Sequence, residues 1–149
     1  MANFSEDLTW MVVRDTSSFL RKGRFPSATF SCERGNLSGK NSFKFSGLAN
    51  KRTVDVQPGD GSSLKLTTTA KDFDAVARKP KAMRKTKVLS KSMTAVAKAV
   101  SIATADTFYR PDMKRAALAK ACTLKEAAKR KAAGVTKGKP ARKKWAWGK

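Results

Sequence analysis

TVDVQPGDGSSLKLTTT, residues 53–69, decides the fold of the first half of the chain because it predicts a β-hairpin. Aliphatic and polar residues alternate on both sides of its centre, which is the pattern of half-buried strands. Residues 58–61, Pro-Gly-Asp-Gly, have the composition of a tight turn. We therefore predict that residues 53–57 pair with residues 63–69 in an antiparallel sheet.

Shorter segments before this hairpin are also typical of strands. Residues 17–21 and 28–32 are short strand candidates, separated by a break at residues 23–26. Residues 42–46 alternate as well, which would place Phe43 and Phe45 on one side of a strand. Residues 17–69 as a whole therefore predict a small antiparallel sheet.

The two phenylalanines of residues 42–46 allow two interpretations. Basic residues surround them, as in sheets that display aromatic side chains to single-stranded nucleic acid. Alternating phenylalanines on a strand are more often core residues, so we favour an inward orientation for Phe43 and Phe45, with Lys44 facing outward.

The first segment, residues 3–14, favours a short amphipathic helix. Asn3 can cap it, and Glu6 and Asp7 would lie in the first turn, where negative charge suits the helix dipole. The alternative is a strand through residues 10–13, which are rich in strand formers.

Large apolar residues are concentrated in the first half, whereas much of the apolar content of the second half is alanine. We therefore expect the core mainly within residues 4–70, packed against one or two later helices. The residues expected to build it are Phe4, Leu8, Trp10, Met11, Phe19, Leu20, Phe25, Phe30, Phe43 and Phe45.

The composition changes near Arg78. Residues 78–87 are rich in Lys and Arg and contain one proline, which predicts an extended linker that does not fold alone. Apolar residues at helical spacing predict a helix over residues 90–107. A second helix should begin at residues 110–112, Arg-Pro-Asp, and run to Ala133. Gly134 would end it, and a capping-box pattern at Thr123 allows a kink or restart there.

These elements predict an α+β protein with a small N-terminal antiparallel sheet and a short helix, followed by two basic, Ala-rich helices. We divide the chain into a mixed α/β core (1–77), a basic linker (78–88), basic helices (89–133) and a basic tail (134–149). The tail contains glycine, proline, Lys and Arg, so we expect it to be disordered when the protein is free.

Positive charge lies mostly in the second half of the chain. Residues 1–77 carry 11 Lys and Arg against 8 Asp and Glu, a net charge of +3. Residues 78–149 carry 22 against 3, a net charge of +19. Such self-repulsion is relieved by a polyanion, and nucleic acid releases counterions when Lys and Arg neutralise its phosphates. We therefore predict nucleic-acid binding, mainly through phosphate contacts, which position a protein without reading sequence.

Catalysis is not expected from this sequence. The chain has no histidine, the usual general base near neutral pH, and it lacks the Walker, Rossmann and nucleophile-elbow motifs. Asp72 and Asp74 are interpreted as solvated surface carboxylates. Cys32 and Cys122 form no zinc or disulfide pattern and are expected to be buried or idle small apolar residues. We expect no cofactor, no small-molecule substrate, no homo-oligomer and, without a run of about 18 apolar residues, no membrane span.

Trp145 and Trp147 stand among basic residues in the tail. An indole ring can stack on an unpaired base or lie over a ribose, a contribution of roughly 1–3 kcal/mol per stacked base. The alternative is packing against another protein or the domain's own surface. Both interpretations make the tail an anchor.

Several blocks of the sequence are similar to one known family. Residues 8–14 (LTWMVVR), 17–20 (SSFL) and 41–48 (NSFKFSGL), followed by Thr53-Val54, resemble the eukaryote-specific ribosomal protein of the large subunit numbered twenty-eight. The bacterial protein of that number is unrelated. Residues 109–112 (YRPD), at the start of a basic helix, fit the same family.

The resemblance implies a structural constituent of the cytosolic large ribosomal subunit that binds ribosomal RNA, touches neighbouring ribosomal proteins and catalyses nothing. It also implies a cytoplasmic location with nucleolar passage during assembly. Alternatives are a nucleolar ribosome-assembly factor or a chromatin protein, because residues 125–144 resemble a linker-histone tail. The absence of a long acidic extension disfavours the first, and the Phe-rich predicted sheet disfavours the second.

RNA contacts should be spread over many basic positions. The resemblance implies Arg14, Lys40, Asn41, Lys44 and Arg110. Charge adds Arg21, Lys22, Arg24, Lys51, Arg52, Arg78, Lys79, Lys81, Arg84, Lys85, Lys87, Lys91, Lys98, Lys114, Arg115, Lys125, Arg142, Lys143 and Lys144, and stacking adds Trp145 and Trp147.

Overall fold

The computed structural model describes residues 4–23, 29–70, 82–89 and 92–134. It has the predicted α+β architecture, with an N-terminal helix, small antiparallel sheets and later helices. Asp72 and Asp74 lie outside the described residues.

Helix α1 runs over Glu6–Thr16 and confirms the predicted N-terminal helix; the strand alternative for residues 10–13 is wrong. Its cap is Ser5, whose side chain accepts a hydrogen bond from the Leu8 amide, whereas Asn3 lies outside the described residues. No residue of this helix is buried. Since an isolated helix of this length is marginal in water, α1 depends on contacts outside itself.

Strands β1 (Leu20–Lys22) and β2 (Thr29–Ser31) form a two-stranded antiparallel ribbon, at the positions predicted for two short strands. Arg21 lies opposite Phe30 in this ribbon. A further bridge places Lys40 opposite Phe30 on its other side. The ribbon therefore has a third backbone segment along β2.

The predicted strand at residues 42–46 is wrong, because Phe43–Phe45 is a single 3₁₀ turn. The side-chain amide of Asn50 donates to the carbonyls of Phe43 (2.6 Å) and Ser46 (2.9 Å). Hydrogen bonds from the Asn50 side chain replace the backbone hydrogen bonds that these carbonyls would make in a sheet. They therefore stabilise a tight turn in a segment whose alternating sequence favoured a strand.

The main sheet has the order β3-β4-β5, with antiparallel neighbours. Strands β3 (Val54–Pro58) and β4 (Leu64–Thr69) confirm the predicted hairpin, with Val56 opposite Leu66. Strand β5 (Arg84–Leu89) shows that the predicted extended linker, residues 78–88, is wrong for residues 84–88, which pair with β4. Its single buried residue is Leu89, which explains why the sequence pattern did not reveal a strand.

Two helices pack on this sheet. Helix α2 (Met93–Ser101) continues into a π-helical turn, Ile102–Asp106, and a 3₁₀ turn at Pro111–Met113 leads into α3 (Lys114–Ala132). Both helices were predicted. Gly134 follows α3 with a φ of +67°, the left-handed conformation typical of a helix terminator. The helix continues through Thr123 without a restart.

The hydrophobic core is aliphatic apart from Tyr109 and lies mainly between the β3–β5 sheet and the two later helices. It consists of Leu37, Val54, Val56, Leu64, Leu66, Leu89, Val96, Val100, Tyr109, Met113, Ala117 and Ala121.

The expected core was therefore wrong in its residues. Phe4 and Met11 are 66% and 70% exposed, and Leu8, Phe19 and Phe30 are also exposed. Trp10, Leu20, Phe43 and Phe45 are half-buried, and Phe25 lies outside the described residues. The physical reason is topology: the hairpin and the late helices bury each other's aliphatic faces and do not cover α1 or the β1–β2 ribbon.

Cys32 and Cys122 are free and exposed, so of the two alternatives given for them, buried or idle, burial is wrong. None of the helices in the described part of the chain has the length and apolar character needed to cross a membrane.

Candidate RNA interface

Several of the predicted contact residues instead hold the molecule together. The guanidinium of Arg110 donates to the carbonyls of Arg52 (2.9 Å) and Lys44 (3.0 Å) and pairs with Asp112 at 3.0 Å. Its side chain is only 16% exposed. The hydrogen bond from Arg110 lowers the pKa of the Asp112 carboxyl. This geometry makes Arg110 an architectural residue that fixes the start of α3.

Tyr109, beside it, ties the same junction to the sheet. Its hydroxyl donates to the carbonyls of Thr69 (2.8 Å) and Thr53 (3.4 Å). Burial raises the pKa of this hydroxyl, because the phenolate would lose its hydration. The YRPD segment therefore joins the late helices to the hairpin.

Asn41 and Arg14 meet at the end of α1. The Asn41 side-chain amide donates to the carbonyl of Arg14 at 2.8 Å, and the Arg14 guanidinium pairs with Asp15 at 2.8 Å. At the other end of the helix, the Lys51 amide donates to the Glu6 carboxylate at 2.9 Å. These contacts, together with Trp10 and Phe43 at a ring-centroid separation of 6.1 Å, attach α1 to the body.

A buried carboxylate organises the loop beneath this attachment. Glu33 accepts hydrogen bonds from the hydroxyls of Ser31 (2.7 Å) and Ser46 (2.8 Å) and from the Gly47 amide (2.8 Å). A Cβ at Gly47 would lie 2.0 Å from the Arg34 carbonyl oxygen, so only glycine fits this approach. The polar cluster replaces hydrophobic burial in this region.

Other predicted cations make partial internal contacts. Lys44 lies 3.9 Å from Asp112 and 5.8 Å from the centroid of the Phe45 ring. The ammonium group of Lys125 donates to the Ser62 carbonyl at 2.6 Å. These lysines are exposed or half-buried, so their charges still contribute to the surface potential.

A larger set of predicted cations remains open. Within the described ranges, these side chains make neither an ion pair nor a hydrogen bond: Lys22, Lys40, Arg52, Arg84, Lys85, Lys87, Lys98, Lys114 and Arg115. The fold brings Lys87 and Lys98 together, since both line one groove of about 390 Å³ between β5 and α2. Lys85 lies two residues before Lys87 and continues the basic surface on the same face of β5, whereas Arg84 projects from the opposite face.

Further predicted contacts fall where the structure gives no description: Arg24, Arg78, Lys79, Lys81, Lys91, Arg142, Lys143, Lys144, Trp145 and Trp147. Sequence reasoning omitted Arg34, Lys129 and Lys131, which are exposed. The last two lie in the basic last turn of α3. The run of basic residues just before Gly134 was the available signal, because such residues favour the negative end of a helix dipole.

Helix α1 has a different surface. Leu8, Met11 and Val12 are exposed and share one face by helical spacing, and the exposed Asp7 and Asp15 flank them. This face is apolar and acidic in a chain of net charge +22. It is therefore poorly suited to a phosphate backbone.

No group of three or more His, Cys, Asp and Glu side chains in the described segments could hold a metal ion.

Comparison with known proteins adds an independent observation. A model of the ribosomal L28e protein family matches residues 8–127. Large ribosomal subunit protein eL28 of Schizosaccharomyces pombe is 34% identical over 122 residues, which cover 80% of this chain and 90% of that protein. The protein of the same name from Dictyostelium discoideum is 35% identical over 114 residues, 76% and 81% of the two chains. The Caenorhabditis elegans protein is 40% identical over 86 residues, 58% and 68% of the two chains.

Proposed function

Because the chain belongs to the ribosomal L28e protein family, we propose that, as a structural constituent of the large ribosomal subunit, it binds ribosomal RNA through dispersed phosphate contacts. The observation that supports this proposal is the set of Lys and Arg side chains that make neither an ion pair nor a hydrogen bond within the described residues. Carboxylates neutralise only part of the positive charge, so these side chains are available to phosphates. The nucleolar assembly factor and the chromatin protein remain weaker candidates, because the relatives matched over most of their length are named as large-subunit proteins.

The groove between β5 and α2, which apolar side chains line together with Lys87 and Lys98, is the strongest element of this interface. Lys87 and Lys98 stand on its two walls, and neither is held by a carboxylate of the described residues. Lys85 extends the positive surface on the same face of the edge strand. A phosphate backbone following β5 would replace its counterions with these side chains.

Neighbouring ribosomal proteins would contact the apolar face of α1. Leu8, Met11 and Val12 form an unpartnered stripe, and the flanking Asp7 carboxylate favours a basic segment as its partner, whereas Asp15 is already paired with Arg14. Ribosomal RNA would be repelled by the Asp7 carboxylate. We therefore propose that a basic protein segment with apolar side chains covers this face.

Salt dependence tests the RNA interface. Binding of the full chain to large-subunit ribosomal RNA is measured by filter retention over a series of KCl concentrations. If about 10 phosphates are neutralised, log affinity falls with log salt with a slope of about −7 to −9. A slope shallower than about −3 would contradict an interface built from the open cations.

Two matched double variants separate specific contacts from net charge. Lys87→Gln/Lys98→Gln removes two open charges, whereas Lys65→Gln/Arg130→Gln removes two charges that face Asp60 (3.9 Å) and Glu126 (3.7 Å). The first variant should reduce the magnitude of the slope of log affinity against log salt by about 1.5, and the second variant should reduce it by clearly less. Equal effects would show that only net charge matters.

Sedimentation distinguishes the three functional candidates in cells. On a sucrose gradient, the native protein should move with mature large subunits, in keeping with a cytoplasmic ribosome location. A brief nucleolar passage would be visible as a small pool in pre-ribosomal fractions. Exclusive recovery with pre-ribosomes or chromatin would replace the proposed function with one of its alternatives.

A further inference from the structure

Phe30 is an exposed aromatic residue at the centre of the N-terminal ribbon. The residue is 46% exposed, while the next residue, Ser31, is buried. Because successive side chains in a strand point to opposite faces, Phe30 faces outward on β2. It makes no contribution to the aliphatic core.

Cations lie on both sides of this phenylalanine. Arg21 of β1 is its directly opposite partner, and Lys40 is its opposite partner across the bridge on the other side. Directly opposite residues of an antiparallel pair project from the same face, so the order across the ribbon is Arg21, Phe30, Lys40. Both cationic side chains are exposed.

Local hydrogen bonds keep this arrangement in place. The Ser31 amide donates to Gly39 (2.8 Å), and the Asn41 amide donates to Thr29 (3.2 Å), which fixes the register of Lys40 beside Phe30. The Arg21 guanidinium donates to the Cys32 sulfur at 2.9 Å, which restrains this side chain at the edge of the face. The aromatic ring and its flanking charges are therefore set by backbone pairing.

We propose that Phe30 is a stacking site for an unpaired nucleobase of RNA, with Arg21 and Lys40 holding the phosphates on either side. This inference rests on the proposed RNA-binding function and adds a defined site to it. Every base has a flat π-face, so an exposed ring accepts it regardless of sequence, and flanking cations track the backbone. The charge around Phe30 is opposite to that around the α1 stripe, which separates this face from a surface for basic protein segments.

The site is tested with the full chain and a short single-stranded RNA that carries one 2-aminopurine. Stacking on Phe30 should quench the fluorescence of this base. Phe30→Leu keeps an apolar side chain without a π-face, so it should clearly reduce the quenching and weaken single-strand binding on the order of 10-fold. Phe30→Trp should restore both. The slope of log affinity on log salt should stay unchanged, because no cation is lost.

Phe108→Leu is the matched control, since Phe108 is also exposed and lies outside the ribbon. This control should retain wild-type quenching and affinity. The site would be refuted if Phe30→Leu bound and quenched like wild type, or if Phe30→Leu and Phe108→Leu lost affinity equally. It would also be refuted if Phe30→Leu weakened binding to an RNA duplex of the same sequence as much as binding to the single strand. Failure of the wild-type chain to bind any RNA would instead overturn the proposed function.

Discussion

Residues 4–52 and residues 53–134 are stabilised in different ways. The later region buries aliphatic side chains between the β3–β5 sheet and helices α2 and α3. The earlier region holds most of the large aromatic residues, yet it is fixed mainly by hydrogen bonds that buried Glu33 accepts and that asparagine side chains donate. Most of its large apolar and aromatic side chains are exposed or half-buried, whereas Leu37 is buried and belongs to the core of the later region. The position of the core is therefore not predicted by where the large residues lie in the sequence. It is determined by which faces of the strands and helices the topology brings together.

The largest expected effect is in the aliphatic core. Leu66→Ala removes a buried side chain and should lower the free energy of unfolding by about 2–5 kcal/mol. Leu8→Ala is the matched control, since Leu8 on α1 is 49% exposed, and should cost under about 0.5 kcal/mol. Urea denaturation of the free chain measures both. Similar losses of unfolding free energy in Leu66→Ala and Leu8→Ala would contradict the proposed difference between the two regions.

The polar cluster of the earlier region should come next. Glu33→Gln replaces an acceptor-only group with an amide that cannot satisfy all three donors, so it should cost about 1–3 kcal/mol. Glu126→Gln changes the same group on the exposed face of α3 and should be nearly neutral. If the two variants melt alike, hydrogen bonding by Glu33 does not stabilise the loop.

The junction between the regions should have a smaller effect. Tyr109→Phe removes the hydroxyl that binds the Thr69 and Thr53 carbonyls and should cost about 1 kcal/mol. Because burial raises the pKa of Tyr109 in the folded state, its contribution is complete below the unfolded pKa and is lost as pH rises through the folded pKa. Wild type and variant should therefore converge in alkaline solution. A constant difference across that range would be inconsistent with a buried, hydrogen-bonded phenol.

The smallest effect is expected at Asp112, whose side chain is 39% exposed. Asp112→Asn should cost less than about 0.5 kcal/mol at neutral pH, because solvent screens this pair with Arg110. The lowered pKa means that the contribution is present above the unfolded pKa and disappears as pH falls through the folded one. Thermal unfolding across the acid range checks this, with Asp106→Asn as an exposed control. If the difference in stability between wild type and Asp112→Asn grew as the pH fell, the inferred direction of the pKa shift would be wrong.

Local chemistry made part of the fold predictable. The hairpin follows from alternation around a turn-forming segment, and the end of α3 follows from Gly134, so both were found from neighbouring residues alone. Strand β5 was missed because its basic sequence pairs with β4 across a long connection, with Arg84 opposite Thr69. The turn at Phe43–Phe45 was missed because it depends on the side chain of Asn50.

The candidate site was predictable in charge but not in detail. Counting residues located the positive half of the chain, and the family resemblance agreed with the family match. Neither indicated that the Arg110 guanidinium donates hydrogen bonds to backbone carbonyls or that Phe30 lies between two cations. The contacts of Arg110 join residues that are distant in sequence, and the position of Phe30 depends on the register of neighbouring backbone segments, so only the tertiary structure reveals them.

Hydrogen exchange on the free chain and on assembled large subunits tests the contrast between the two regions most directly. Amides of β4 should be protected in both samples, because the surrounding core belongs to the chain itself. Amides of α1 should exchange rapidly in the free chain, since the helix has no buried residue, and become protected in the subunit, where a partner covers its apolar face. Protection of α1 equal to that of β4 in the free chain would contradict this account.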